Sequence, residues 1–180
     1  LNLINDVLDM SAIESEKLKI ANIPFDFKSL LKSISTIYYS QCKEKGIDFN
    51  LVLENLSIEQ LIGDSLRLNQ VLLNVISNSF KFTDSGGKIT VKVSESSKNE
   101  KQVFLRFIVS DTGCGMSPEA LKKIFEPFEQ ESTATTRKYG GSGLGMSITK
   151  NIIDLMHGAI NVESEKGIGT TITIDIPFGY

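Results

Sequence analysis

A chain of 180 residues, 41% hydrophobic and 23% charged, has room for one full hydrophobic core and a short appendage. Its net charge of −3 and the absence of any Lys/Arg block give no support to nucleic-acid or membrane-surface binding, and no apolar run is long enough to cross a bilayer. A single histidine, His157, excludes a histidine-rich zinc site; Cys42 and Cys114 are too far apart for a short metal or redox motif, and no G-x-S-x-G turn offers a hydrolase nucleophile.

The chain opens without Met and without a basic-then-apolar leader, as expected of a piece of something longer. From Leu1 to about Lys19, Leu1, Ile4, Leu8 and Leu18 share one helical stripe, with Leu3, Val7 and Met10 beside it. That apolar face is too wide for a helix alone in water. A missing partner helix or a second subunit would cover it, or the helix folds back on its own domain. Pro24 interrupts the pattern, so Ile20 to Asp26 is a linker or a short extended segment. A second helix is predicted over Phe27–Glu44 with Asp26 as N-cap and a stop near Gly46. Ile47, Phe49, Leu51 and Leu53 then alternate as a half-buried strand.

A third helix is expected from an Asp64 cap to Phe82, followed by an Asp84–Gly87 turn and a strand over Lys88–Ser94. Ser96–Glu100 reads as a polar loop, and Gln102–Ser110 as the next strand. Ser117-Pro118-Glu119 starts a short helix that ends before Pro127. Glu129–Tyr139, rich in hydroxyls and poor in apolar residues, reads as a mobile loop. Gly140–Gly145 leads into a helix reaching Met156, and strands Ile160–Glu163 and Thr170–Ile176 close the chain. The whole is an α/β arrangement, a two-layer α+β sandwich with a mixed sheet covered on one face by helices.

Chemistry concentrates in three places. On the third helix Asn74, Asn78 and Lys81 stand at i, i+4 and i+7, in one stripe of two carboxamides and one ammonium. A carboxamide oxygen suits Mg²⁺, and the lysine suits a phosphate. At the end of the strand Phe104–Val109, Asp111 is followed by Gly113 and Gly115: an acceptor for an amino group, beside backbone that a flat base can approach. Gly140-Gly-Ser-Gly-Leu-Gly145 precedes a helix whose N-terminal amides suit an anion, yet it is neither a Walker A loop nor a Rossmann fingerprint. Taken singly, each has an ordinary counterpart: a polar helix edge, a turn, a hinge. Arg137 and Lys138 lie just ahead of the last motif, on a loop that either closes over a ligand or is simply solvated.

Together, Asn74-Val-Ile-Ser-Asn-Ser-Phe-Lys-Phe-Thr83, Asp111-Thr-Gly-Cys-Gly-Met116, Phe125-Glu-Pro-Phe128 and Gly141-Ser-Gly-Leu-Gly145 resemble, in order and spacing, the N, G1, F and G2 boxes of sensor histidine kinases. Leu3–Met10 with Ser11-Ala-Ile-Glu14 resembles the end of that family's second dimerisation helix, and Thr136–Gly141 is similar to hybrid kinases carrying a receiver domain. The resemblance implies a Bergerat-type ATP-binding fold over residues 23–180, preceded by dimerisation helix and linker over 1–22. It implies ATP and Mg²⁺ as ligands. Asn78 would hold the metal, with Asn74 and Lys81 at the phosphates. Phe82 would lie beside the base, whose amino group Asp111 would receive above Gly113 and Gly115. Phe125 and Phe128 would anchor the lid. Gly141, Gly143, Leu144 and Gly145 would line the phosphates, and Arg137 would stand within reach of the terminal one.

ATP-hydrolysing branches resemble one another in placing a glutamate four residues before the metal-binding asparagine; here Asn74 stands there, unable to take a proton from water. The site is therefore expected to hold ATP for transfer rather than hydrolysis, and the resemblance implies a cytoplasmic, homodimeric parent kinase, with or without an anchor in the inner or plasma membrane. That kinase would pass the γ-phosphoryl to a histidine upstream of Leu1, on its own or the partner's helix, and then to a response-regulator receiver aspartate. His157, after an apolar helix, reads as a helix-terminal residue rather than the acceptor. The alternatives are a degenerate interaction module of the same fold and a protein serine kinase.

Overall fold

A computed structural model describes residues 2–15, 17–128 and 143–180. The elements are α1 (Asn2–Glu14), β1 (Ile23–Asp26), α2 (Phe27–Lys45), β2 (Asp48–Glu54), β3 (Gln60–Gly63), α3 (Ser65–Phe82), β4 (Lys88–Lys98), β5 (Gln102–Asp111), α4 (Pro118–Lys122), α5 (Gly145–Leu155), β6 (Ala159–Glu165) and β7 (Gly169–Gly179). The strands form one mixed sheet in the order β1-β3-β7-β5-β4-β2, with β6 also paired to β7. Only β2 and β4 run parallel; the remaining pairings are antiparallel.

Alternation of side chains in β4, β5 and β7 sends Ile89, Val91 and Val93, then Val103, Leu105, Phe107 and Val109, then Ile172, Ile174, Ile176 and Phe178 into one core. Leu31 and Ile34 of α2, Leu68, Leu72, Val75 and Ile76 of α3, and Ile148, Ile152 and Ile153 of α5 complete it. Burying each such side chain is worth about 1.5–3 kcal/mol, so this layer fixes where α3 and α5 can lie. On other β5 and β7 positions Arg106 donates from Nε and one terminal nitrogen to the Asp175 carboxylate at 2.8 and 2.9 Å.

Helix ends follow the predicted signals. Asp26 accepts from the Ser29 amide and Asp64 from the Arg67 amide, each at 2.9 Å. The second Asp64 oxygen accepts from the Ala21 amide, which ties the incoming linker to α3. α2 stops at Gly46 in the left-handed region, and α5 stops before His157, whose φ is +58°. The exposed His157 thus terminates its helix, as expected. Cys42 is buried and Cys114 exposed, and no disulfide joins them.

Three elements differ from the sequence reading. β3 was not anticipated: four residues carry too little alternation to stand out. Ser96–Lys98, expected as loop, prolongs β4 beyond a bulge between Glu95 and Ser97, because pairing with β5 sustains a strand that its polar residues do not announce. The first helix ends at Glu14 rather than Lys19. Its apolar face is divided: Met10 and Ile13 pack on the core, whereas Ile4, Val7 and Leu8 are exposed. Asp9 fastens this helix to α3 by accepting from Arg67 Nη1 at 2.9 Å and from Gln70 Nε2 at 2.7 Å.

Candidate nucleotide site

α3, the turn after β5, the β6–β7 turn and the start of α5 converge. The C-terminal end of α3 is held from α2, where Lys45 Nζ donates to the Phe80 carbonyl at 2.7 Å. The Phe82 carbonyl accepts from the Cys114 amide at 3.2 Å, which joins α3 to the glycine turn, and the Cys114 carbonyl in turn accepts from Gly167 of the β6–β7 turn at 2.7 Å. Gly115 sits at φ +62°, and a Cβ there would lie 2.0 Å from the Glu165 carbonyl oxygen, so only glycine permits this contact of turn on turn.

Asp111 lies at the centre of this junction. Its Oδ1 accepts from the amides of Gly113 at 2.9 Å and Thr170 at 3.3 Å, and its Oδ2 accepts from the Ser79 hydroxyl at 2.7 Å. Three donors leave part of the carboxylate's acceptor capacity for an incoming N–H group. Neither Ser79 nor Thr170 is among the site residues expected from the sequence. Ser79 carried a signal, since it falls three and four residues after the buried Ile76 and Val75 and so places a hydroxyl on an apolar face. Thr170 acts through its backbone amide, which no residue type reveals. Thr83, one turn beyond Ser79, is fully buried with its hydroxyl unpartnered among the described residues.

The amide stripe of α3 is divided in its engagements. Asn74 turns toward α5, its Nδ2 donating to Thr149 Oγ1 at 2.7 Å. A Cβ on Gly145 would lie 2.5 Å from Asn74 Oδ1, so a bare backbone is what lets α5 begin against this carboxamide. Half-buried Asn78 has no hydrogen-bond partner among the described residues, which leaves its oxygen available. Burial pushes the Lys81 ammonium below the ordinary lysine range, and its Nζ lies 4.9 Å from the Phe82 ring centroid. The first turn of α5 has no side-chain cap, and Leu144 before it is fully buried. A cavity of about 50 Å³ lined by Asp6, Gln70, Asn74, Gly145, Ile148 and Thr149 separates α1 from this helix start.

Phe125 is partly buried, whereas Phe128 is exposed at φ +64° with its amide donating to the Gly143 carbonyl at 3.0 Å. That bond joins the segment after α4 to the approach to α5. Arg137 and Gly141 lie outside the described residues.

The residues fit a magnesium nucleotide. Among the described residues no cluster of three His, Cys, Asp or Glu side chains could hold a metal. The side-chain oxygen of Asn78 is of the kind that Mg²⁺ accepts alongside phosphates and waters. The start of α5, without a side-chain cap, and the Lys81 ammonium on the α3 stripe offer complementary charge.

Residues 63–180 match the family described as Histidine kinase-, DNA gyrase B-, and HSP90-like ATPase, and the chain belongs to that family. It is 41% identical over 179 residues to the autoinducer 2 sensor kinase/phosphatase LuxQ of Vibrio parahaemolyticus, with 98% of this chain and 21% of LuxQ aligned. It is 37% identical to hybrid signal transduction histidine kinase B of Dictyostelium discoideum, with 99% and 9% aligned. The chain thus spans about a fifth or less of these relatives. Among solved structures, full-length ShkA in complex with AMPPNP superposes with a TM-score of 0.81 at 31% identity, over 99% of this chain and 35% of that one. The expected fold, a mixed sheet under helices as in histidine-kinase ATP-binding domains, is the fold observed. No helix among the described residues is long and apolar enough to cross a membrane.

Proposed function

We propose that this chain is the ATP-binding part of a sensor histidine kinase that transfers the γ-phosphoryl group of Mg-ATP to a histidine on a separate dimerisation helix. The P–O bond to ADP breaks, a P–N bond to imidazole forms, and the imidazole proton passes to solvent. The observation that carries this reading is Asp111, held by three donors at a strand end with acceptor capacity left over, beside the α3 carboxamides and the start of α5.

In this reading Asp111 receives the adenine amino group, Gly113 and Gly115 shape the floor and Phe82 lies beside the base. Asn78 holds Mg²⁺, which neutralises phosphate charge when bound. Asn74, Lys81, Gly143, Leu144 and Gly145 surround the phosphates, while Phe125 and Phe128 frame the entrance. Phosphoryl transfer asks chiefly for positioning and charge neutralisation. Asn74 is a neutral amide already donating to Thr149, so this position supplies no base to activate water, and hydrolysis is slow.

Exposed Ile4, Val7 and Leu8 on α1 suit a helix bundle in a homodimer, with the acceptor helix from the same or the partner subunit. A receiver-domain aspartate is the onward acceptor. ATP, and two cysteines not joined by a disulfide, suit the cytoplasm. His157 follows the C-terminal end of an eleven-residue helix whose N-terminal end meets the site, roughly 16 Å away along its axis, and is not the acceptor.

Incubating the protein with γ-labelled ATP and a polypeptide bearing the kinase's acceptor hairpin tests this reading. Acid-labile label on the hairpin histidine, with none on His157, is the expected result. Label on His157, or none on the hairpin while nucleotide is bound, would overturn it.

A further inference from the structure

We propose that Ser79 is a positioning residue for nucleotide selectivity: it fixes the plane of the Asp111 carboxylate so that one acceptor direction faces the 6-amino group of a purine. This rests on the nucleotide-site reading above and adds to it a residue that the motif-based assignment does not include.

The argument begins with an anomaly in α3. Hydroxyls inside helices commonly bond back to their own helix. Ser33 donates to the Ser29 carbonyl at 3.0 Å, Ser77 to Asn74 at 2.9 Å and Ser147 to Leu144 at 2.8 Å. Ser79 crosses instead to β5 and donates to Asp111 Oδ2 at 2.7 Å, a short bond to a charged acceptor. Only 4% of Ser79 is exposed, and alanine would serve the helix better. A buried hydroxyl kept at such a position needs its partner, and the partner is the proposed base-reading group.

The consequence for Asp111 follows from counting. The Gly113 and Thr170 amides both address Oδ1; Oδ2 receives Ser79. With Oδ1 alone held, the carboxylate can turn about its last side-chain bond, a torsion with broad preferences. With Oδ2 also held the plane is fixed, and the acceptor site left on Oδ2 has a set direction. An exocyclic amine placed there donates into it. A 6-oxo purine would turn oxygen lone pairs toward a carboxylate that cannot swing aside. Ser79 thereby sharpens the preference for an amino over an oxo purine.

Titrating the protein and Ser79→Ala with Mg-ADP and with Mg-IDP, which carries the same ribose and phosphates under a 6-oxo base, tests this. Wild type is expected to favour ADP. Ser79→Ala should bind ADP about tenfold more weakly, the scale of one hydrogen bond to a charged group, and bind IDP within about twofold of wild type. Retained IDP binding shows that the variant's site is folded. Unchanged ADP affinity in Ser79→Ala, or equal losses of ADP and IDP affinity, would overturn the proposal and leave the nucleotide site standing. Wild type that binds neither diphosphate would overturn both.

Discussion

The two ends of the proposed site are built differently. At the base end, Asp111, the glycine turn, the end of α3 and the β6–β7 turn lock one another through backbone bonds and a turn-on-turn contact with no room for a Cβ at Gly115. At the phosphate end, the parts come from side chains on two helices: Asn74 against Thr149 and Gly145, and Asn78, whose side chain has no partner among the described residues. The base end is thus formed by the fold itself. The phosphate end holds groups whose best partners are a metal and an anion. Damage to the backbone interlock of the first should appear as lost stability, and damage at the second as lost ligand.

The strongest test of that contrast pairs two glycines. Gly115→Ala forces a Cβ against the Glu165 carbonyl at a positive φ and should destabilise the fold by about 3 kcal/mol or more, read as a lowered denaturation midpoint. In Gly145→Ala the new Cβ meets the tip of the Asn74 side chain, which can turn away. That variant should keep most of its stability and lose nucleotide affinity. Equal loss of stability in both would erase the distinction.

Next in size is Asn78→Ala. Its effect should depend on magnesium: affinity for Mg-ADP falls about tenfold, whereas affinity for ADP in chelator hardly moves, because only the carboxamide oxygen's bond to the ion has gone. A calorimetric titration with and without Mg²⁺ reads this directly. Equal losses in both conditions would place Asn78 on the nucleotide instead.

The smallest effect concerns Lys81, whose ammonium is depressed by burial. The unfolded chain holds this proton to higher pH than the folded one. Between the depressed and the ordinary lysine pKa, stability of the ligand-free protein therefore gains from this group as pH rises. Phosphate favours the charged form and draws the pKa back up, so Mg-ADP affinity should fall a few-fold as pH rises through the same alkaline window. Lys81→Arg, permanently charged, should flatten that dependence.

What the sequence made legible divides along the same line. Asn78, Asp111 and the glycines stand out because spacing on one helix and residue type at a strand end are local signals. The cap residues Asp26 and Asp64 are legible for the same reason. β3 escapes because four residues, meeting β7 only at Ile62 and Gly179, owe their strand to tertiary pairing. Asn74 stands out on its helical stripe but not as Thr149's partner, since that bond joins residues 75 apart. Ser79 meets Asp111 across 32 residues in the same way. Its hydroxyl on an apolar stripe announces the need for a partner without saying which one.

Backbone amide resonances recorded while a non-hydrolysable ATP analogue and Mg²⁺ are added test the central claim most directly. The account predicts shifts gathered in residues 74–83, 111–116, 143–149 and 164–170, with α2 and β2 quiet. Shifts centred on the α2–β2 edge, or no shifts at saturating analogue, would contradict it.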